Sequence, residues 1–148
     1  MDKIMGIGIG VILLNDKKQI LLLLRNGDSE IADSNMRYEG QYTLPAGKVK
    51  FGEEFESAAI RKVKQETNLD IKDAKVICLI NDYNEYAHYA TIGLVCDNFS
   101  GNIDLGKTQE HVSYMWTDIN NLPQNTCKSS IEIINRYKEN IFYKEGEI

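Results

Sequence analysis

Residues 47–69, GKVKFGEEFESAAIRKVKQETNL, constrain the fold more than any other stretch of the chain. A loop bearing Gly47 and Gly52 runs into Glu53 and Glu54. Phe55, Ala58, Ala59, Lys62, Val63 and Glu66 then recur at helical spacing. This predicts a helix from Glu53 or Glu54 to about Thr67. Acids at its start suit the positive end of the helix dipole. The small pair Ala58–Ala59 lets the helix sit close to a sheet. Asn68 follows the last turn, and asparagine is second only to glycine as a left-handed helix cap.

The sheet is written in period-two segments. Ile7, Ile9, Val11 and Leu13 alternate with Gly6, Gly8 and Gly10 and then with Ile12 and Leu14. Glycines on one face admit either a close-packed layer or a ligand against the backbone, and close packing is the more ordinary reading. Asn15–Lys18 is a turn. Gln19–Arg25 is apolar on both faces, as in a central strand. The polar stretch from Asn26 to Gln41 is a long loop, of a length that goes with function or mobility. Tyr42–Pro45 is a short strand entering the glycine loop. Ile71–Asp82 and His88–Cys96 are strands joined by a turn at Asn84–Glu85. Asp97–Thr108 is loop, and Ser113–Trp116 is a short strand. Ser129–Asn140 is a helix with Ile131, Ile134 and Tyr137 or Lys138 on one side. Strands, a helix, more strands and a last helix predict an α/β fold with a mixed sheet between helices, as one domain over residues 1–148.

Composition excludes some partners. A formal net charge of -5 leaves no basic surplus to neutralise duplex nucleic acid. A local basic pocket for a small anion stays compatible with it. Cys78, Cys96 and Cys127 are far apart and odd in number, which fits a reducing compartment better than a disulfide framework or a zinc site. The apolar run from Ile4 follows Lys3, but its alternating glycines and the lack of a small-residue cleavage site mark a strand rather than a signal peptide. No run approaches a membrane span. The expected location is cytoplasmic, with no membrane partner. His88 and His111 lack metal-ligand spacing and read as structural or exposed. Tyr42, Tyr83, Tyr86 and Tyr89 are able to stack on a base, although strand aromatics more often serve packing.

The 47–69 stretch also resembles the signature of the Nudix hydrolases, G-x5-E-x7-R-E-U-x-E-E-x-G-U, where U is a bulky aliphatic residue. Gly47, Glu53, Arg61, Val63, Glu66 and Leu69 match it, whereas Lys62, Gln65 and Asn68 depart from it. Two later segments look like the MutT-like nucleoside triphosphate branch: His88–Ile92, and Glu110–Trp116 followed by Leu122–Pro123. The resemblance implies an α/β/α sandwich with a mixed β-sheet. It implies hydrolysis of a nucleoside diphosphate linked to another group, with Mg2+ or Mn2+ offsetting phosphoryl charge. Dimerisation is common in the family, and no residue here decides it.

Carried over residue by residue, Glu66 is a metal ligand, and Glu110 is a second ligand or the base. Gly47 lends its carbonyl to the metal, and the Glu53–Arg61 pair holds the loop against the helix. Arg25, Lys48, Lys50 and Lys62 are the candidate phosphate contacts. Positions 62, 65 and 66 share one helical face, where the signature has three glutamates and this chain has Lys62, Gln65 and Glu66. One charge pair near 4 Å is worth up to about 4 kcal/mol at an effective dielectric near 20. Lys62 in place of an acid therefore disfavours a multi-metal cluster, and one cation held by Glu66, Glu110, Gly47 and substrate phosphates is what remains. Lys62 reads equally as a phosphate contact and as the i, i+4 partner of Glu66. Three functions follow: a hydrolase weakened by the loss of box acids, a non-catalytic nucleotide-binding module, and an interaction protein on the same fold.

Overall fold

The alternating segment near the start of the chain forms β1 (Ile4–Leu13), and the apolar run after it forms β2 (Gln19–Arg25). The structure is a computed structural model that describes residues 3–32 and 34–145. β3 (Tyr42–Thr43) and β4 (Ala46–Lys48) lead to α1 (Phe55–Thr67). β5 (Asp70–Lys72), β6 (Lys75–Tyr83), β7 (Ala87–Cys96), β8 (Asn98–Ser100) and β9 (His111–Asp118) follow, and α2 (Lys128–Glu139) comes last.

A four-stranded sheet has the order β4-β1-β7-β6. β1 and β7 run parallel in full register from Ile4↔Ala87 to Leu13↔Cys96, while β4 and β6 are antiparallel to their neighbours, so the sheet is mixed. A second, antiparallel sheet has the order β3-β2-β9, with the doubly apolar β2 at its centre.

Side-chain alternation explains the layers. Ile9, Val11 and Leu13 of β1, with Leu21 and Leu23 of β2, pack with Ala58, Ala59 and Val63 of α1. Ile12 and Leu14, with Ile20 and Leu22, pack on the other side with Ile133 and Ile134 of α2. Each face of the strands thus carries a helix, giving the expected α/β/α arrangement. A fully buried Leu or Ile contributes roughly 1.5–3 kcal/mol, and most of these residues are completely inaccessible.

Asn68 does cap α1 in the left-handed region, at φ 68°, its N–H donating to the Lys64 carbonyl. Four expectations need correction. The strand read from Ile71 to Asp82 is two strands, broken where Asp73 takes a positive φ of 60°. The 97–108 segment is not all loop, because β8 pairs with β5 through Ile71↔Phe99. Tyr42–Pro45 contributes only a two-residue strand. The buried side of α2 is carried by Ser130, Ile133, Ile134 and Arg136 rather than by Ile131. Among the described residues no helix is long and apolar enough to cross a membrane.

Candidate active site

Glu53 and Arg61 are joined as a fork. The Arg61 Nε and Nη2 donate to the two carboxylate oxygens at 2.8 and 2.9 Å. Arg61 Nη2 also donates to the Lys48 carbonyl at 2.8 Å, and the Lys50 N–H donates to Glu53 at 2.9 Å. The pair therefore ties both halves of the 48–53 loop to the side of α1. The Arg61 guanidinium beside it holds the Glu53 carboxyl down at about 2.

One turn further along α1, Glu66 is buried. Its Oε1 accepts the Ala46 N–H at 3.0 Å, which ties it to the start of β4. Lys62 lies alongside: Nζ is 3.9 Å from Glu66 Oε2 and donates to Gln65 Oε1 at 3.2 Å. Its stem crosses Gly47 so closely that a Cβ there would fall 2.1–2.9 Å from it. Gly47 is thus the position over which the helix face closes, and its carbonyl oxygen lies beside Gly8.

The third contribution comes from β9 and the residue before it. Glu110 accepts a hydrogen bond from Arg25 Nη1 at 3.3 Å, while Arg25 Nη2 donates to the Ala32 carbonyl at 2.9 Å. His111, expected to be structural or exposed, is buried in the site itself, with Nε2 4.0 Å from Glu66 Oε2. The β2–β9 register explains why. Leu24 pairs with Ser113 but Arg25 pairs with His111, so Val112 is an extra, outward-facing residue. This bulge re-aims the strand end, and a strict period of two fails across it. The ligand atoms of Glu66, Glu110 and His111 all lie within 4.8 Å of one another. Two carboxylates and an imidazole fit a single divalent cation.

Glu66 and Glu110 line one end of a cleft of about 690 Å³, and His111 is buried against Glu66. Arg25, Lys48, Lys50, Arg61 and Lys62 stand around that end, so the cations expected to meet phosphate do converge. At the other end Asp82 is buried and accepts hydrogen bonds from Ser129 at 2.8 Å and Thr91 at 3.0 Å. The Tyr38 hydroxyl pairs with Ser129 at 2.6 Å, and Tyr89 lines the same wall. Sequence reasoning passed over Asp82. Its signal was an aspartate near the end of an otherwise apolar strand. Of the four tyrosines considered, Tyr89 faces the cleft, whereas Tyr42 packs against the core and Tyr86 is exposed.

The β1 glycines divide between the two roles open to them. A Cβ on Gly6 would strike the Tyr89 ring and one on Gly10 would strike Ile133, each at 2.7 Å. Gly8 has room, with nothing nearer than 3.5 Å, and forms the cleft floor between the two ends.

Burial pushes the Glu66 carboxyl up to about 7 and the His111 imidazole down to about 4. Their effects on stability have opposite signs. Folded Glu66 keeps a proton that the unfolded chain releases near 4.5, so its contribution falls as pH rises from about 4.5 to 7. Folded His111 refuses a proton that the unfolded chain accepts below 6.5, so its contribution falls as pH drops from about 6.5 to 4. In the shared window the two slopes offset each other. Urea titrations of metal-free protein from pH 4.5 to 6.5 are expected to show stability rising with pH in Glu66→Gln and falling in His111→Gln. Each slope is at most about 1.4 kcal/mol per pH unit. Parallel slopes in the two variants would contradict the assignment.

A mixed sheet between two helices, with a loop–helix carboxylate site at one end of a cleft, defines the architectural class of the domain. The NUDIX domain family matches residues 5–137, and the chain belongs to that family. It is 26% identical over 121 residues to an ADP-ribose pyrophosphatase of Methanocaldococcus jannaschii, covering 80% of this chain and 65% of that protein. It is 28% identical over 92 residues to Nudix hydrolase 6 of Arabidopsis thaliana, covering 62% of this chain and 31% of that protein. The chain thus matches less than two thirds of the length of these relatives. Among solved structures, a MutT NUDIX hydrolase from Burkholderia pseudomallei aligns with a TM-score of 0.76 at 22% identity, over 88% of this chain and 96% of that one. A MutT protein from Methanosarcina mazei aligns with a TM-score of 0.73 at 21% identity, over 94% and 96%. Both share the fold.

Proposed function

We propose that the protein hydrolyses the diphosphate linkage of a nucleoside diphosphate derivative, in the manner of the MutT-like branch, with a divalent cation at the Glu66 end of the cleft. The observation that carries this reading is the polarity of the cleft. One end gathers Glu66, Glu110 and a rim of cations, and the other offers a buried carboxyl and aromatic walls. A nucleoside diphosphate has the same two halves.

Lys48 and Lys50 are exposed at the rim and would hold the diphosphate, fixed in place by the Glu53–Arg61 fork beneath their backbone. Glu66, with Glu110 and the Gly47 carbonyl, would hold the cation. When bound, that cation offsets charge on the phosphoryl oxygens and acidifies water. Glu110 is less buried than Glu66 and would be the carboxylate that takes the proton of the attacking water. Water then adds to one phosphorus as the bridging P–O bond breaks, and the bridging oxygen leaves with the other phosphate.

The test is phosphate or diphosphate release from nucleoside triphosphates, sugar nucleotides and dinucleotides with Mg2+ or Mn2+. Turnover of one class names the substrate. No turnover of any class by folded protein overturns the reading. A second reading has its own observation: the Lys62 ammonium stands 3.9 Å from Glu66, where an added dication would be repelled. It makes the protein a nucleotide-binding module without catalysis, and predicts saturable binding that does not depend on metal.

Both readings place the ligand across Gly8. Gly8→Val is expected to leave stability unchanged or slightly raised, since valine suits a strand and its Cβ meets only ordinary contacts. Nucleotide affinity should fall by about tenfold or more, the equivalent of about 1.4 kcal/mol. Calorimetric titration with a nucleoside triphosphate checks this, and undiminished affinity would remove the ligand from the floor of the cleft.

A further inference from the structure

We propose that Glu66, Glu110 and His111 form a mixed nitrogen–oxygen site that takes a first-row transition dication, such as Co2+ or Zn2+, in preference to Mg2+. The proposal rests on the cation-assisted reading of this cleft, and concerns which cation these residues select.

Two independent observations converge. The ligand atoms of the three side chains lie within 4.8 Å of one another, close enough to share one ion. The His111 side chain is only 4% exposed, yet neither ring nitrogen makes a hydrogen bond among the described residues. Nε2, 4.0 Å from Glu66 Oε2, is therefore open to a metal bond shared with that carboxylate. The β9 bulge supplies the means, because it turns His111 into the site beside Glu110.

Donor chemistry then sets the selection. Mg2+ prefers oxygen ligands in near-octahedral array and keeps several waters. Imidazole favours the later first-row metals. On α1, the positions that would add carboxylates are Lys62 and Gln65, so beside the Gly47 carbonyl the remaining side-chain donor is His111. Lys62 lies 3.9 Å from Glu66 and Arg25 lies 3.3 Å from Glu110. These cations weaken every dication alike through charge. What distinguishes one metal from another is the bond to nitrogen, which Mg2+ gains least from.

Isothermal titration of the whole chain with Co2+ alone and with Mg2+ alone tests this, with the ligand-field absorption of bound Co2+ as an independent readout. Wild type is expected to bind one Co2+ at least about tenfold more tightly than Mg2+. Folded His111→Gln should lose about tenfold or more in Co2+ affinity, with Mg2+ binding nearly unchanged. The chain has only 2 histidines, so ring resonances supply a test that needs no variant at the site. Zn2+ should shift the His111 ring and leave alone the half-buried His88 ring, which pairs with Asn81, with His88→Gln providing the assignment. Equal Co2+ affinity in wild type and His111→Gln, or an unmoved His111 ring, overturns the proposal. His111-dependent Co2+ binding without turnover of any nucleotide would uphold it while rejecting the hydrolase reading. Mg2+-supported turnover with a silent His111 ring would do the reverse.

Discussion

Glu66→Gln is expected to abolish nucleotide hydrolysis while making the metal-free protein more stable. The two effects share one cause. Glu66 is buried against Ala46, and burial holds its carboxyl up at about 7. Its ionised form is the one a cation needs and the one the fold tolerates least. Glutamine keeps the shape and an oxygen that accepts the Ala46 N–H, but carries no charge. Above pH 8 the variant should therefore gain on the order of 3 kcal/mol over wild type. Below pH 4.5, where both side chains are neutral, the difference should vanish. Turnover should fall on the order of a thousandfold, as for loss of one preorganised charge-stabilising group. Urea denaturation in chelator at pH 5 and pH 8, beside initial rates with the best substrate, checks both. Full turnover in the variant would remove Glu66 from the chemistry. A variant no more stable at pH 8 than at pH 5, relative to wild type, would show that ionising Glu66 does not strain the fold.

Much of this arrangement was legible in the sequence, for physical reasons that also mark where legibility stopped. Period-two alternation in β1 and β2 and helical spacing in α1 report which face of an element is buried, and those faces do carry the two helices. The placement of Glu53, Arg61, Gly47 and Glu66 came from resemblance, since a charge on a helix is otherwise read as solvated. The break at Asp73 escaped because a single residue at positive φ leaves no mark on hydropathy. β8 is three residues long, too short to show a period. His111 escaped because its position depends on a bulge, where an extra residue reverses the facing that alternation predicts. Asp82 escaped because one of its partners, Ser129, lies 47 residues away on another element. Long-range polar pairing has no local signature.

The double variant Lys62→Glu/Gln65→Glu is expected to turn this site toward Mg2+ and raise hydrolysis by about tenfold or more. Residues 62, 65 and 66 lie on the face of α1 that closes over Gly47. Replacing an ammonium and an amide by two carboxylates changes the local charge by three units. One unit pair near 4 Å is worth up to about 4 kcal/mol at an effective dielectric near 20, and solvent at the cleft reduces that. Even a third of it corresponds to about tenfold in cation affinity. Without metal, the three carboxylates repel one another and crowd Glu66, so the variant should melt below wild type in chelator. Saturating Mg2+ should restore the loss, because a ligand that binds only the folded state stabilises it. Wild type should show a much smaller Mg2+ effect, since Lys62 already stands 3.9 Å from Glu66 as a resident positive charge. Thermal melts with and without Mg2+, together with rates, separate the possible causes. Recovered melting with no gain in rate would mean that the rebuilt face binds metal but that acid loss is not what limits catalysis. A gain in both would establish Lys62 and Gln65 as the residues that hold this member of the family back.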